Sequence, residues 1–175
     1  MTARIDAHHH LWDLSARPQP WMVGAEMTSL RRDFGVTDLA AATMGQHIAG
    51  TVVVQTVADV TETEELLDLA EQHSLIVGVV GYVDVAASDV GEQLDRLLNR
   101  PSGRWLVGVR SLVQYELDPN WLGRPEVLAG LRVIAAHNLA HDLLILPHQI
   151  DAAAEAATSV PEGRFVIDHL GKPNV

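Results

Sequence analysis

Six short runs rich in Val and Ile, each too brief for a buried helix, restrict the fold of this chain more than any other feature of its sequence. They fall at 3–8, 51–57, 75–83, 105–113, 139–146 and 164–169. Continuous apolar runs of this length read as strands buried on both faces, the condition of a parallel sheet. Helical patterns separate them at 37–47, 62–73, 88–99, 125–137 and 149–158, the second with Leu66, Leu67 and Ala70 on one face. Thr37, Thr61 and Ser88, ahead of acidic first turns, mark helix starts. Asn99-Arg100-Pro101 and Asn138 mark stops, because proline removes a donor and asparagine tolerates a left-handed backbone.

This alternation places the chain in the α/β class. After the first connection the strands recur every 25 to 35 residues or so, the unit size of a TIM-like (β/α)8 barrel, whose full length is typically ~250 residues. The expectation is a single partial barrel domain over 1–175 holding about the first six strands, truncated before helix six and the last two strands. Its first and sixth strands would be unpaired edges, which favours association into a homo-oligomer. An open doubly wound sheet is the alternative, although neither GxGxxG nor GxxxxGK[ST] occurs. The one long connection, 11–36, carries Pro18, Pro20 and two tryptophans and reads as a loop over the barrel mouth.

Charge narrows the partners. With 12 basic against 23 acidic side chains, a net charge of −11, and Lys172 the sole lysine, the chain lacks the clustered cations that nucleic acid or an anionic membrane surface requires. There is no cysteine, so no disulfide, no thiolate nucleophile and no Cys-ligated zinc; a metal would be held by His and carboxylates. No secretory pattern opens the sequence and no run of 18 to 20 apolar residues interrupts it, so a soluble, cytoplasmic protein is expected.

His8 and His10 lie two apart at the end of the first strand and point to one side of the pleat, at the carboxyl end where barrel sites gather; they read as a metal-ligand or catalytic pair. His9 faces the other way and reads as a packed or hydrogen-bonded side chain. His169 ends the sixth strand and brings a third imidazole to the same mouth, with Asp168 alternating to the opposite side as an orienting or structural acid. His148, just past strand five, is equally a ligand or a loop residue. His47, His73 and His137 end helical segments and read as caps, with His141 a bystander of the same kind. Arg110, in the fourth strand, either holds a substrate carboxylate or carbonyl or pairs with a buried acid. Trp12, Trp21 and Trp121 are candidates to wall a pocket or to pack in the core. No GxSxG, SxxK or Ser-His-Asp order supports a serine nucleophile.

The blocks IDAHHHLWD, PWM, LRRDF, GTVVVQT, TETEELLDLA, GVRSLVQYELDPNWLGRPEVLAGL and FVIDHLGKP, in that order along the whole chain, resemble the amidohydrolase-2 (amidohydrolase-related) family. Within it the chain looks most like the sugar-lactone and dicarboxylate-lactone hydrolases, such as L-fuconolactonases, L-rhamnonolactonases and pyrone dicarboxylate lactonases. The resemblance implies a TIM-like barrel and hydrolysis of a small-molecule lactone by water attack on its carbonyl, with the ring alkoxide leaving after protonation. It carries the catalytic and metal-ligating roles onto His8, His10 and His169, while the residues' own placement makes Arg110, Trp12 and His148 the candidates for substrate binding. One divalent metal, zinc or manganese, is implied, and some members work without one. The family's strand-eight aspartate, its base for water, has no counterpart here, so the chain alone is expected to be inactive; Ser111 stands where relatives often have His. A non-oxidative decarboxylase of the same superfamily and a non-catalytic fragment are the other readings.

Overall fold

The computed structural model describes residues 4–173. Six strands, β1 (Arg4–His9), β2 (Ile48–Val54), β3 (Ile76–Gly81), β4 (Leu106–Ser111), β5 (Ala140–Leu143) and β6 (Arg164–Ile167), form one parallel sheet in the order β1-β2-β3-β4-β5-β6. The connecting helices are α1 (Val36–Thr43), α2 (Val60–Gln72), α3 (Val90–Leu98), α4 (Pro125–Ala136) and α5 (Ile150–Ser159). Strictly sequential order with right-handed crossovers puts every helix on one face. A doubly wound sheet needs the order to reverse, so the alternative falls and the sheet is a curled partial barrel.

The convex face is the core. Val53, Val79, Val109 and Leu143 pack against Leu66 and Leu67 of α2, Leu94 and Leu97 of α3, Leu131 and Ile134 of α4, and Ala153 and Ala156 of α5. Each fully buried Leu or Ile there contributes roughly 2 to 3 kcal/mol of apolar transfer. α4 approaches so closely that a Cβ on Gly130 would sit 1.8 Å from the Val85 carbonyl oxygen, which requires glycine. Among the described residues the concave face is uncovered: Val52, Val80, Val107, Asp142 and Val166 line an open cavity of about 590 Å³, and β1 and β6 are edges. Among the described residues no helix is long and apolar enough to cross a membrane.

The boundaries depart from expectation where loops take over backbone bonding. The first strand was expected at 3–8; Ala3 lies outside the described residues and β1 runs on to His9. β2 starts at Ile48, because Ile48 and Gly50 pair with Arg4 and Ile5, and ends at Val54. Beyond it the Glu62 carboxylate accepts from the backbone N–H of Thr56 (2.9 Å) and Val57 (3.0 Å). β5 ends at Leu143, after which the Leu144 carbonyl accepts from Gln114. Helix caps fall on Gly35 and Asp59, two residues ahead of Thr37 and Thr61, and on Asp89, the residue after Ser88. Asn138 does adopt the left-handed conformation after α4, with φ 59°.

Candidate active site

His8 and His10 bracket the end of β1 with their Nε2 atoms 3.2 Å apart. Each ring has its other nitrogen occupied. His10 Nδ1 lies 2.8 Å from the Val54 carbonyl, which only accepts, so the proton sits on Nδ1. His8 Nδ1 lies 3.5 Å from Asp168 Oδ1, while Arg110 Nη1, a donor, lies 3.5 Å from His8 Nε2. Both Nε2 lone pairs therefore face one another, an arrangement that is repulsive unless a cation lies against both. Two nitrogens on one tetrahedral zinc stand about 3.3 Å apart, given Zn–N bonds near 2.0 to 2.1 Å. His169 approaches His8 with ring centroids 4.7 Å apart, and the ligand atoms of His8, His10 and His169 all lie within 4.8 Å of each other. The donor set fits a divalent metal, with Asp168 orienting His8 from behind.

Beneath the imidazoles lies a buried ion pair. Arg110 Nη1 donates to Asp168 Oδ2 at 2.9 Å, and Nη2 donates to the Gln55 carbonyl, whose side-chain Nε2 in turn donates to the Arg110 carbonyl at 3.1 Å. Burial opposes ionisation of Asp168, but hydrogen bonds from His8 and Arg110 and the guanidinium charge outweigh it and hold the carboxyl down at about 2. Burial, then the Arg110 charge, pushes His10 down to about 3, and burial and His8 lower His169. These imidazoles are neutral near pH 7, as metal ligation or proton acceptance requires.

A cavity of about 400 Å³ opens over this cluster, walled by Trp12, Trp21, Met27 and Leu30 of the long loop and by Thr56, Leu112, Gln114 and Tyr115. The loop is pinned over the mouth as expected: Trp12 and Phe34 exchange backbone hydrogen bonds of 3.0 Å, and Arg17 reaches Asp59 (2.9 Å) and Glu65 (2.7 Å) at the start of α2. Of the residues singled out in the sequence, His10, His169, Arg110, Trp12 and Trp21 line the cavity, and His8 touches His10, Asp168 and Arg110 behind it. His9 turns to the helix side, Nε2 3.0 Å from Thr51 Oγ1.

Other placements differ. His148 is exposed in the 3-10 turn Pro147–Gln149 and does not line the cavity, because the chain turns away after Leu146. Trp121 is buried in the core, in the 3-10 turn Trp121–Gly123. His141 is no surface cap: it is buried to 2% exposure in β5, Nε2 3.1 Å from Ser111 Oγ, and burial lowers it to about 4. Asp168 does not point away from the site. β6 ends at Ile167, Asp168 takes the inward position, and His169 reaches the mouth only because its backbone turns left-handed, with φ 50°.

Sequence reasoning passed over Asp142, Gln55, Gln114 and Lys172. Asp142 pairs in register with Arg110 on the concave face, 5% exposed, and burial together with Asp168 raises its carboxyl to about 6 against the pull of Arg110 and His8. Lys172 lines the cavity and donates to Gln114 Oε1; burial, then Arg110, lowers it against the opposing charge of Asp168. The signal for Lys172 was present, since the sole lysine of the chain sits three residues after His169 in FVIDHLGKP.

The family model described as Amidohydrolase matches residues 5–175. An L-fucono-1,5-lactonase of Burkholderia ambifaria is 34% identical over 175 residues, covering 100% of this chain and 59% of that protein. An L-fucono-1,5-lactonase of Burkholderia multivorans is 30% identical over 171 residues, covering 97% of this chain and 56% of that protein. A crystal structure of an amidohydrolase from Burkholderia multivorans with bound zinc superposes with a TM-score of 0.88 at 29% identity, covering 98% of this chain and 59% of that one. The chain thus spans less than two thirds of the length of these relatives.

Proposed function

Because this chain belongs to the amidohydrolase family, whose model its residues 5–175 match, we propose that it carries the histidine cluster of a hydrolase site that opens lactones. The observation that carries the reading is the convergence of the His8 and His10 Nε2 lone pairs, 3.2 Å apart, with His169 beside them under a cavity of lactone size. The relatives named as L-fucono-1,5-lactonases and the zinc-bound neighbour support it. His8, His10 and His169 would hold a divalent metal, which when bound supplies Lewis-acid polarisation of the carbonyl and of water.

The chain's own groups do the rest. Asp168 accepts from His8 Nδ1 and keeps Nε2 directed at the cavity. Arg110 Nη1 lies at 3.5 Å from His8 Nε2, placed to stabilise negative charge that develops on a carbonyl oxygen in the cavity. Trp12 and Trp21, ring centroids 5.7 Å apart, screen the carbonyl from bulk water. No free carboxylate faces the cavity among the described residues, Asp168 being saturated by Arg110 and His8.

The test is product analysis of the zinc-loaded chain and a full-length relative against a panel of lactones. A ring-opened acid formed by the zinc-loaded protein, and lost in His8→Ala with His10→Ala, fits the reading. Release of carbon dioxide from a carboxylated substrate without ring opening would favour a decarboxylase instead.

A further inference from the structure

Consecutive residues at the end of β2 divide their backbone between the site and one buried carboxylate. The Val54 carbonyl accepts from His10 Nδ1 at 2.8 Å, and the Gln55 carbonyl accepts from Arg110 Nη2. The next two amides, Thr56 N–H and Val57 N–H, both donate to Glu62 Oε2, at 2.9 and 3.0 Å, and the Thr56 hydroxyl donates to Glu62 Oε1. Gln55 N–H donates to the Val80 carbonyl of β3 at 2.9 Å, so the segment is also tied to the neighbouring strand.

Helix capping does not account for this carboxylate. Glu62 is the third residue of α2, where a glutamate ordinarily reaches back to the N–H of the capping residue. Here the cap is Asp59, whose N–H donates instead to the Val57 carbonyl at 2.9 Å. Glu62 reaches past it to the turn and is only 3% exposed. Burying a carboxylate is costly unless its hydrogen bonds are made, and these are made to Thr56 and Val57.

Peptide planarity turns those bonds into aim. The Gln55 carbonyl and the Thr56 N–H belong to one trans peptide unit, in which the two groups point in opposite directions. Fixing the N–H on Glu62 therefore fixes the direction of the carbonyl that receives Arg110, and the charge of the carboxylate polarises that carbonyl into a stronger acceptor. Arg110 Nη1 in turn donates to Asp168 Oδ2 at 2.9 Å, and Asp168 Oδ1 lies 3.5 Å from His8 Nδ1. Resting on the site reading above, we infer that Glu62 is a positioning residue: through the Gln55–Thr56 peptide it sets the aim of Arg110, and through the Arg110–Asp168 pair the orientation of His8.

Two readouts on the chain itself test this. The first is the rate at which phenylglyoxal modifies Arg110, followed by peptide mass spectrometry with the exposed Arg132 as internal reference. Loss of the anchored acceptor in Glu62→Ala should raise the relative rate at Arg110 about tenfold, the worth of one hydrogen bond to a charged group. Glu62→Gln, whose amide oxygen accepts from both backbone N–H groups, should keep the rate close to that of the wild type. The second readout is zinc titration of the chelator-treated chain, with Kd raised about tenfold in Glu62→Ala and recovered in Glu62→Gln. Leu94→Ala, a core truncation in α3, loosens the fold without touching these bonds and should leave both readouts unchanged. If Glu62→Ala does not fold, Glu62→Asp, which keeps the charge but falls a methylene short of the turn, must shift both readouts in the same direction. An Arg110 rate unchanged in Glu62→Ala, or raised equally by Glu62→Gln or by Leu94→Ala, overturns the inference. A raised Arg110 rate with zinc Kd unchanged overturns the link to His8. A wild type that takes up no zinc sinks the metal reading above and leaves the Arg110 rates to decide the role of Glu62.

Discussion

The Arg110–Asp168 pair is the residue on which most of the site depends, since it is buried, holds His8, and bonds β4 to both Gln55 and the end of β6. Asp168→Asn leaves the guanidinium buried without a counter-charge and should cost about 3 to 5 kcal/mol in urea unfolding, whereas Arg110→Met with Asp168→Leu should cost clearly less. The buried imidazoles set the acid behaviour. His141 is lowered to about 4 from 6.5, so the folded chain refuses a proton that the unfolded chain accepts. Its contribution is complete above pH 6.5 and is lost as pH falls through 4, about 3 kcal/mol in all. His10, lowered to about 3, and Asp168, held at about 2, act in the same direction. Asp142, raised to about 6, acts oppositely: its contribution is present at low pH and lost as pH rises through 6. Unfolding free energy should therefore fall from pH 6.5 toward pH 4, and His141→Asn should flatten that slope relative to its own value at pH 7.5. An unchanged slope would mean that His141 is protonated in the fold. His8, His10 and Arg110 were legible in the sequence because strand alternation fixes their side of the sheet. His141 was not, because the histidine of AHDLL looks the same whether its strand is buried or frayed.

Among the elements, the left-handed turn after β6 is the least expected. Gly171 signals one left-handed residue, but nothing in Leu170 or Lys172 announces that three non-glycine neighbours share the conformation. Reading 164–169 as one strand consequently turned Asp168 away from the site, whereas the structure brings it in on Arg110 while His169 still reaches the cavity. Leu170 makes little use of its side chain, so Leu170→Asn, which suits this backbone better, should stabilise the chain by up to about 1 kcal/mol in thermal unfolding. A loss of stability would place Leu170 in a packing role. Strand and helix order was legible because every connection between strands has its own amphipathic helix. Strand ends were not, because capping by distant side chains such as Glu62 decides where the ladder stops.

At the scale of the whole molecule, sequential strand order explains the core on one face, and among the described residues β1 and β6 are edges with the concave face open between them. Val166, 48% exposed on the edge strand, lies in that face. Sedimentation of the chain should show association that grows with concentration, and Val166→Lys should reduce it; a strictly monomeric wild type would show the edges to be protected. The barrel class was legible from unit spacing alone. The central claim, that His8, His10 and His169 form a divalent-cation site, is tested most directly by calorimetric titration of the chelator-treated chain with zinc. The account predicts one saturable site, lost in His8→Ala with His10→Ala, and a wild-type fold stabilised by about 2.7 kcal/mol when free zinc is a hundred times Kd. Zinc uptake by the double variant equal to that of the wild type, or no saturable uptake by the wild type, would contradict it.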